Sequence, residues 1–134
     1  MSEHEEALMA LMVRHINAWN NHDLEALMQL FATDGVFEAS GGPDVEGQRF
    51  EGETEVREAF ASVFERMPDA HWGGGRHHVI SPEYCVSEWT LTGTLADGSR
   101  LEVNGCDFLT VHEGLIRRKN SYRKQRPPTG QRTN

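Results

Sequence analysis

The chain is poor in cysteine and contains no long apolar run. Its two cysteines, Cys85 and Cys106, are too few for the disulfide framework of a small secreted domain, so a cytoplasmic location is expected. The charged start, Met1–Glu6, is unlike a signal peptide. No apolar stretch approaches the roughly 20 residues that cross a bilayer, and no membrane partner is expected.

Basic residues are also scarce. There are 13 lysines and arginines against 21 aspartates and glutamates, which gives a net charge of -8 and argues against a nucleic-acid partner. All 21 acidic residues precede Leu115, whereas seven of the 13 basic ones follow it. This basic C-terminal stripe is either charge balance between neighbouring strands or a site for an anionic ligand, and both alternatives stay open.

Motifs for bound cofactors are missing as well. The sequence has no nucleophile elbow, P-loop or dinucleotide fingerprint. Three histidines, His71, His77 and His78, lie close together, but adjacent strand residues point to opposite faces and the spacing matches no zinc pattern. Neither a metal nor an organic cofactor is therefore expected.

Hydrophobic periodicity shows what is present. A chain of 134 residues with 37% hydrophobic content forms one domain, predicted over residues 1–124, and the proline- and glycine-containing residues 125–134 are predicted to be a disordered tail. Periods of 3.6 and 2 predict three helices (3–20, 24–31, 53–67) and five strands (36–39, 70–80, 86–95, 100–111, 115–123). Three early helices followed by a run of strands predict an α+β domain with helices covering a mostly antiparallel sheet.

Particular segments carry a family resemblance. Three parts of the sequence resemble the SnoaL-like and ketosteroid-isomerase-like branch of the nuclear-transport-factor-2-like superfamily. They are Asn20–Asp34, the helix start at Gly52, and Asp107 followed by His112-Glu113-Gly114-Leu115-Ile116. The resemblance covers about Leu8–Arg123. It implies a cone-shaped domain in which a strongly curved sheet wraps the first helix and encloses a pocket. It also implies a homodimer formed through the outer face of the sheet.

Ketosteroid isomerases use an aspartate base and an oxyanion hole made of a tyrosine and a protonated aspartate. The resemblance places His15 at the position of the tyrosine and Asp107 at that of the protonated aspartate. Ala39 occupies the position of the base, and Glu38, one residue away on a strand, is expected to point to the opposite face. Steroid-type double-bond isomerisation is therefore not expected.

The residues themselves point to the same two side chains. Asp107 lies in the middle of an apolar strand, where a carboxyl group either stays neutral or pairs with a cation, and Lys119 is the cation that strand parity offers. His15 lies on the apolar stripe of the first helix. Asp107 and His15 are the predicted catalytic residues. The predicted substrate-binding residues are Trp19, Phe60, Glu88, Trp89, Lys119 and Arg123.

Two functions compete at this point. The first is a cofactor-independent lyase, isomerase or cyclase that acts on a small, largely apolar molecule, neutral or anionic, in an enclosed pocket. The second is a non-catalytic protein of the same fold that binds a small ligand or another subunit. Polar residues on faces that should be apolar favour the enzyme, because such groups cost stability, and the missing carboxylate at Ala39 favours the binding protein.

Overall fold

A computed structural model describes residues 1–130. In chain order the elements are α1 (Glu3–Asn20), α2 (Leu24–Gln29), β1 (Phe31–Glu38), β2 (Arg49–Glu51), α3 (Glu53–Arg66), β3 (His71–Ser81), β4 (Tyr84–Thr94), β5 (Arg100–His112) and β6 (Leu115–Arg123). The strands form one sheet in the order β2-β1-β6-β5-β4-β3. Every strand pair is antiparallel except β1 with β6. The predicted α+β class is confirmed: three helices pack on a curved, unclosed and mostly antiparallel sheet.

Side chains cap the starts of α1 and α2. Ser2 caps α1 together with Glu5 in a reciprocal capping box, and Asp23 accepts a hydrogen bond from the backbone of Ala26 at the start of α2. The buried face of α1 carries Leu8, Leu11, Met12, His15, Ala18 and Trp19, which is the period expected of an amphipathic helix. One polar side chain, His15, is thus placed inside the core by helix geometry alone. None of the helices in residues 1–130 is long and apolar enough to cross a membrane.

The first strand differs from the prediction. Phe31, which the sequence pattern assigned to the end of α2, is the first residue of β1, and its neighbour Leu30 ends the helix. The pairing of β1 with β6 shifts register between Phe31 and Val36, so the strand starts earlier than its regular alternation suggests. The short strand β2 was not predicted.

The sheet register determines which side chains meet on the inner face. Ser87, Asp107 and Ser121 are directly paired across β4, β5 and β6. The next inner pairing on β5 and β6 joins Leu109 to Lys119. Because alternate residues share a face, these polar groups all point toward α1.

The C-terminal segment returns to the sheet. The backbone of Thr129 forms two hydrogen bonds with that of Arg100, at 2.7 and 2.8 Å. The predicted disordered tail began at residue 125, and its residues 131–134 lie outside the described residues. Residues 125–130 therefore run back beside the start of β5.

Candidate functional site

A polar cluster lies inside the core between α1 and the inner face of the sheet. Its members are Asp107 on β5, Lys119 on β6 and His15 on α1, which are 4%, 4% and 2% exposed. Lys119 Nζ lies 3.3 Å from Asp107 Oδ2 and 3.1 Å from His15 Nε2. The structure therefore brings together both predicted catalytic residues, with Lys119 between them, and the ion pair that the sequence left open is present.

Three donors surround the Asp107 carboxylate. Ser121 Oγ donates to Oδ1 at 2.6 Å, while Trp89 Nε1, at 2.9 Å, and Lys119 Nζ both donate to Oδ2. Hydrogen bonds to a carboxylate, one of them here from a cation, are strong and directional. The Asp107 carboxylate is therefore buried in one fixed orientation.

His15 is held as a neutral hydrogen-bond acceptor. Its Nε2 accepts from Trp19 Nε1 at 3.1 Å and from Lys119 Nζ, so the ring carries its own proton on Nδ1. Burial lowers the pKa of His15 well below its usual range, and the positive charges of Lys119 and His77 lower it further. The ring thus stays uncharged beside a lysine.

Lys119 is the least usual member of the cluster because its ammonium group is surrounded by aromatic rings. Nζ lies 4.5 Å from the ring centre of Trp19, 5.8 Å from that of Phe60 and 6.0 Å from that of Phe37. Burial lowers the pKa of Lys119, and Asp107 acts in the opposite direction through its charge and its hydrogen bond. A buried lysine of this kind releases or shares a proton more readily than a surface lysine.

A small inner cavity borders this cluster. Its volume is about 10 Å³, enough for about one water molecule. It is lined by His15, Ile16, Trp19, Trp72, Ser87, Trp89 and Asp107. Both predicted catalytic residues thus line one small cavity, which three tryptophans fill almost completely.

A second cavity, here called the mouth cleft, lies farther along the same strands. It has a volume of about 230 Å³ and is lined by Ser40, Gly41, Leu101, Val103, Arg123, Lys124, Gln125 and Arg126. Arg123, predicted to bind substrate, lies here rather than beside Lys119. The two lie four residues apart on β6, a distance of about 13 Å in an extended strand.

The remaining predicted residues divide between core and surface. Trp19, Phe60 and Trp89 are buried around the cluster. Glu88 is not: it lies on the outer face, where it pairs with Arg76 and His78. Strand alternation explains this placement, because Trp89 points inward and its neighbour must point outward.

The alternation also explains Glu38. As expected, it faces away from the cluster, whereas its neighbour Phe37 lies near Lys119. Glu38 is buried between Arg49 and Arg118, with ion-pair distances of 2.8 and 2.5 Å. Glu38 therefore links β1, β2 and β6 on the outer face. It points away from the cluster and cannot act as the base that is missing at position 39.

Sequence reasoning missed one polar pair near the cavity. Ser87 lies opposite Asp107 and is hydrogen-bonded through Oγ to His77 Nδ1 at 2.8 Å. The parity of β4 could have found Ser87, since Cys85 and Trp89 flank it on the same face. Within residues 1–130, no group of three or more His, Cys, Asp or Glu side chains is arranged to hold a metal ion.

Comparison with known proteins places this arrangement in a family. The sequence profile of the SnoaL-like domain matches residues 12–119, most of the chain. The chain belongs to the SnoaL-like family. A search of curated proteins found no match.

Solved structures share the SnoaL-like fold. A candidate polyketide cyclase from Xanthomonas campestris pv. campestris is 22% identical with a TM-score of 0.73, and the match covers 90% of this chain and 92% of that one. A phenazine biosynthesis-related protein from Pseudomonas aeruginosa is 16% identical with a TM-score of 0.79, over 91% and 78% of the two chains.

A third SnoaL-like neighbour was solved with a small molecule bound. It is a ketosteroid-isomerase-like protein of unassigned function from Catenulispora acidiphila, in complex with trimethylamine. It is 17% identical with a TM-score of 0.73, over 84% of this chain and 83% of that one. At such identities the likenesses show a common fold, and activity has to be argued from the cluster itself.

Proposed function

We propose that the protein is a cofactor-independent acid/base enzyme of the isomerase, cyclase or lyase type, acting on a small and largely apolar carbonyl compound. The observation that carries this proposal is the buried Lys119–Asp107 ion pair, whose Asp107 lines the inner cavity. Removing two charges from water costs several kcal/mol per ion, and apolar side chains would close the same core without that cost. A buried charged pair whose carboxylate lines a cavity is therefore better explained by chemistry than by stability.

The geometry gives each group a role. Asp107 acts as the base and takes a proton from the carbon next to the substrate carbonyl. The negative charge then moves from the carboxylate to the carbonyl oxygen, where the ammonium group of Lys119 stabilises it. Because the proton and the charge move in opposite senses, the total charge of the buried cluster and substrate stays constant. Return of the proton to another carbon completes an isomerisation. In a cyclisation the enolate carbon attacks a second carbonyl, and Asp107 returns the proton to the alkoxide that forms.

The other polar groups position these two. Neutral His15 accepts a hydrogen bond from Lys119 and so fixes its ammonium group without adding a second positive charge. Trp89 and Ser121 hold the carboxylate in one orientation. The inner cavity of about 10 Å³ is too small for a carbonyl compound, so a wall tryptophan moves when the substrate binds.

Ligand binding without turnover is the second candidate function. It is favoured by Ala39, which leaves no carboxylate at the position of the ketosteroid isomerase base. The Catenulispora acidiphila neighbour, solved with trimethylamine, shows that a protein of this fold can hold a small molecule. In this chain the buried ammonium group of Lys119 already occupies the aromatic surroundings that would suit a cationic ligand.

Proton exchange separates the two candidates. Cyclohexanone and acetophenone are incubated with the protein in deuterium oxide, and deuterium uptake next to the carbonyl is followed by NMR. We expect exchange above the buffer rate for at least one probe, and an unchanged rate for Glu88→Gln, which alters a carboxylate on the outer face. A probe that binds with no exchange above the buffer rate would support the ligand-binding candidate instead.

A further inference from the structure

The mouth cleft is surrounded by basic side chains. Arg123, Lys124 and Arg126 line it, and Arg66 at the end of α3 lies close enough to act on the charge of Arg123. Its apolar wall is formed by Leu101 and Val103. No carboxylate is among the described residues that line the cleft.

These cations differ from most others in the described part of the chain. Arg49, Arg57, Arg76, Arg100, Arg117 and Arg118 each form an ion pair with a carboxylate. The side chain of Arg126 instead donates to the backbone oxygen of Glu102, and no ion pair within 4.0 Å joins Arg123 or Lys124 to a carboxylate of residues 1–130. In a protein of net charge -8, carboxylates are plentiful, so this group of cations is conspicuous.

The repulsion between these basic side chains has an electrostatic cost that a bound anion would remove. The pKa of Arg123 is lowered by the protein atoms that crowd its guanidinium and then by the positive charge of Arg66. As a whole residue Arg123 is nevertheless exposed to solvent. An anion in the cleft would face several cations at once and would relieve their mutual repulsion.

The C-terminal segment helps to build the cleft. Residues 124–126 form part of its wall, and the two backbone hydrogen bonds between Thr129 and Arg100 hold the segment against β5. A further hydrogen bond, from the Lys124 backbone to Asn104, fixes the start of the segment. The basic side chains are therefore carried on a segment that is tied to the sheet at both ends.

We propose that the mouth cleft binds the carboxylate group of a small, otherwise apolar organic acid, so that the substrate of the inner site is a carbonyl-containing acid. Arginine forks match a carboxylate in two hydrogen bonds, and Leu101 and Val103 offer apolar surface to the carbon skeleton. The proposal rests on the proposed function only in calling this acid a substrate. Binding itself can be measured without turnover.

The distance between the two sites limits the ligand. Gly105 separates Val103, in the cleft, from Asp107, in the inner cavity, and it pairs directly with Arg123. The ring of Trp89 covers Gly105 so closely that an added Cβ would lie 2.5 Å from two ring carbons. Neighbouring residues on one strand face are about 7 Å apart. Val103 and Asp107 are therefore about 13 Å apart, so the acid needs an extended skeleton to place its carbonyl beside Asp107, and Trp89 is the wall between its two ends.

Matched ligands test the proposal. Benzoate and benzamide share their size and ring but differ in charge, and their dissociation constants are measured by NMR titration at low salt. We expect benzoate to bind at least tenfold more tightly, with shifts at residues 101–105 and 123–126. Phenyl phosphate and inorganic phosphate are titrated in the same way. If phenyl phosphate binds more tightly than benzoate, the cleft is a site for phosphate esters instead. If inorganic phosphate binds as tightly as benzoate, the cleft is an anion site that does not recognise the apolar part of the ligand.

Variants locate the effect. Arg123→Gln and Lys124→Gln are each expected to remove most of the preference for benzoate, whereas Arg117→Gln, which alters an exposed arginine paired with Asp34, should retain it. Equal binding of benzoate and benzamide, or a preference that survives both cleft variants, would overturn the proposal. Such a result would leave deuterium exchange at the inner site unaffected, so failure here is distinguishable from failure of the proposed function.

Discussion

Replacement of Lys119 by methionine tests the buried ion pair most simply. Methionine has a similar length and no charge, so the variant leaves Asp107 as a buried carboxylate with only Ser121 and Trp89 as donors. Removing one partner of a buried pair commonly costs about 3–5 kcal/mol of stability. The loss of stability has an upper limit, because an unpaired buried carboxylate can become neutral by taking up a proton.

That limit depends on pH. With a reference pKa of about 3.9, protonating an aspartate costs about 4 kcal/mol at pH 7 and about 1.5 kcal/mol at pH 5. We therefore expect Lys119→Met to lose about 3–4 kcal/mol at pH 7 and about 1.5 kcal/mol at pH 5. Lys119 is also one of the causes that lower the pKa of His15. Without it, His15 takes up a proton more easily in the folded variant, so the variant loses less stability than wild type as the pH falls. This too makes the stability difference between the two proteins smaller at pH 5 than at pH 7.

Urea unfolding followed by tryptophan fluorescence measures both values. The double variant Lys119→Met/Asp107→Asn should be more stable than the sum of the two single losses predicts, by about 1–3 kcal/mol, because no unpaired charge remains in it. Arg117→Met, which breaks only an exposed ion pair, should change stability by about 0.5 kcal/mol or less. A loss for Lys119→Met of less than about 1 kcal/mol, or an equal loss at both pH values, would refute the reasoning.

Three further predictions concern other groups. Because the folded-state pKa of His15 lies below its unfolded value, neutral His15 contributes its full stability above about pH 6.5, and this stability is lost as the pH falls. Between pH 7.5 and 5, urea unfolding of wild type should therefore show about 2 kcal/mol more loss of stability than that of His15→Gln. Parallel pH curves for the two proteins would contradict this. Burial raises the pKa of the Cys85 thiol to about 11, so a disulfide reagent at pH 8 should modify only Cys106 in the folded protein, and rapid modification of both would contradict the structure. On the outer face the half-buried Phe108 packs against the exposed Tyr122, and this aromatic pair predicts a homodimer near 30 kDa by sedimentation, weakened by Tyr122→Asp; a particle of 15 kDa at micromolar concentration would contradict it.

Much of the fold follows from local patterns. The stripe on α1 and the alternation of β4 and β5 are long enough for hydrophobic period and turn residues to identify them. The end of α2 was placed wrongly because Phe31 continues the helical period, and only its pairing with Ile116 on β6 draws it into a strand. Such pairing between distant segments cannot be read from a local window.

The candidate site was predicted unevenly for the same reason. Asp107 and His15 are polar residues in apolar patterns, so the sequence itself marks them. Lys119 required the register between β5 and β6, which the family resemblance suggested. Glu88 was predicted to bind substrate because its strand neighbours are apolar, although strand alternation points it to the face opposite Trp89. The part that Arg126 plays in the wall of the mouth cleft was not predicted, because the segment from Gln125 has the composition of a disordered tail.

The size of the inner cavity could not be predicted at all. It depends on how Trp19, Trp72 and Trp89 pack, and composition does not specify side-chain packing. Their rings fill the space next to Asp107, so the cavity holds about one water molecule. The sequence predicted an enclosed pocket and gave no size for it.

The most direct test of the central claim is the rate of deuterium exchange catalysed by Asp107→Asn. Asparagine preserves the shape of the side chain and can still accept a hydrogen bond from Ser121, but it cannot take up a proton. With the probe that wild type exchanges fastest, and with folding verified by the NMR spectrum, we expect the rate to fall at least 100-fold, in line with the usual contribution of a general base. A folded Asp107→Asn variant that exchanges the probe at the wild-type rate would contradict the account.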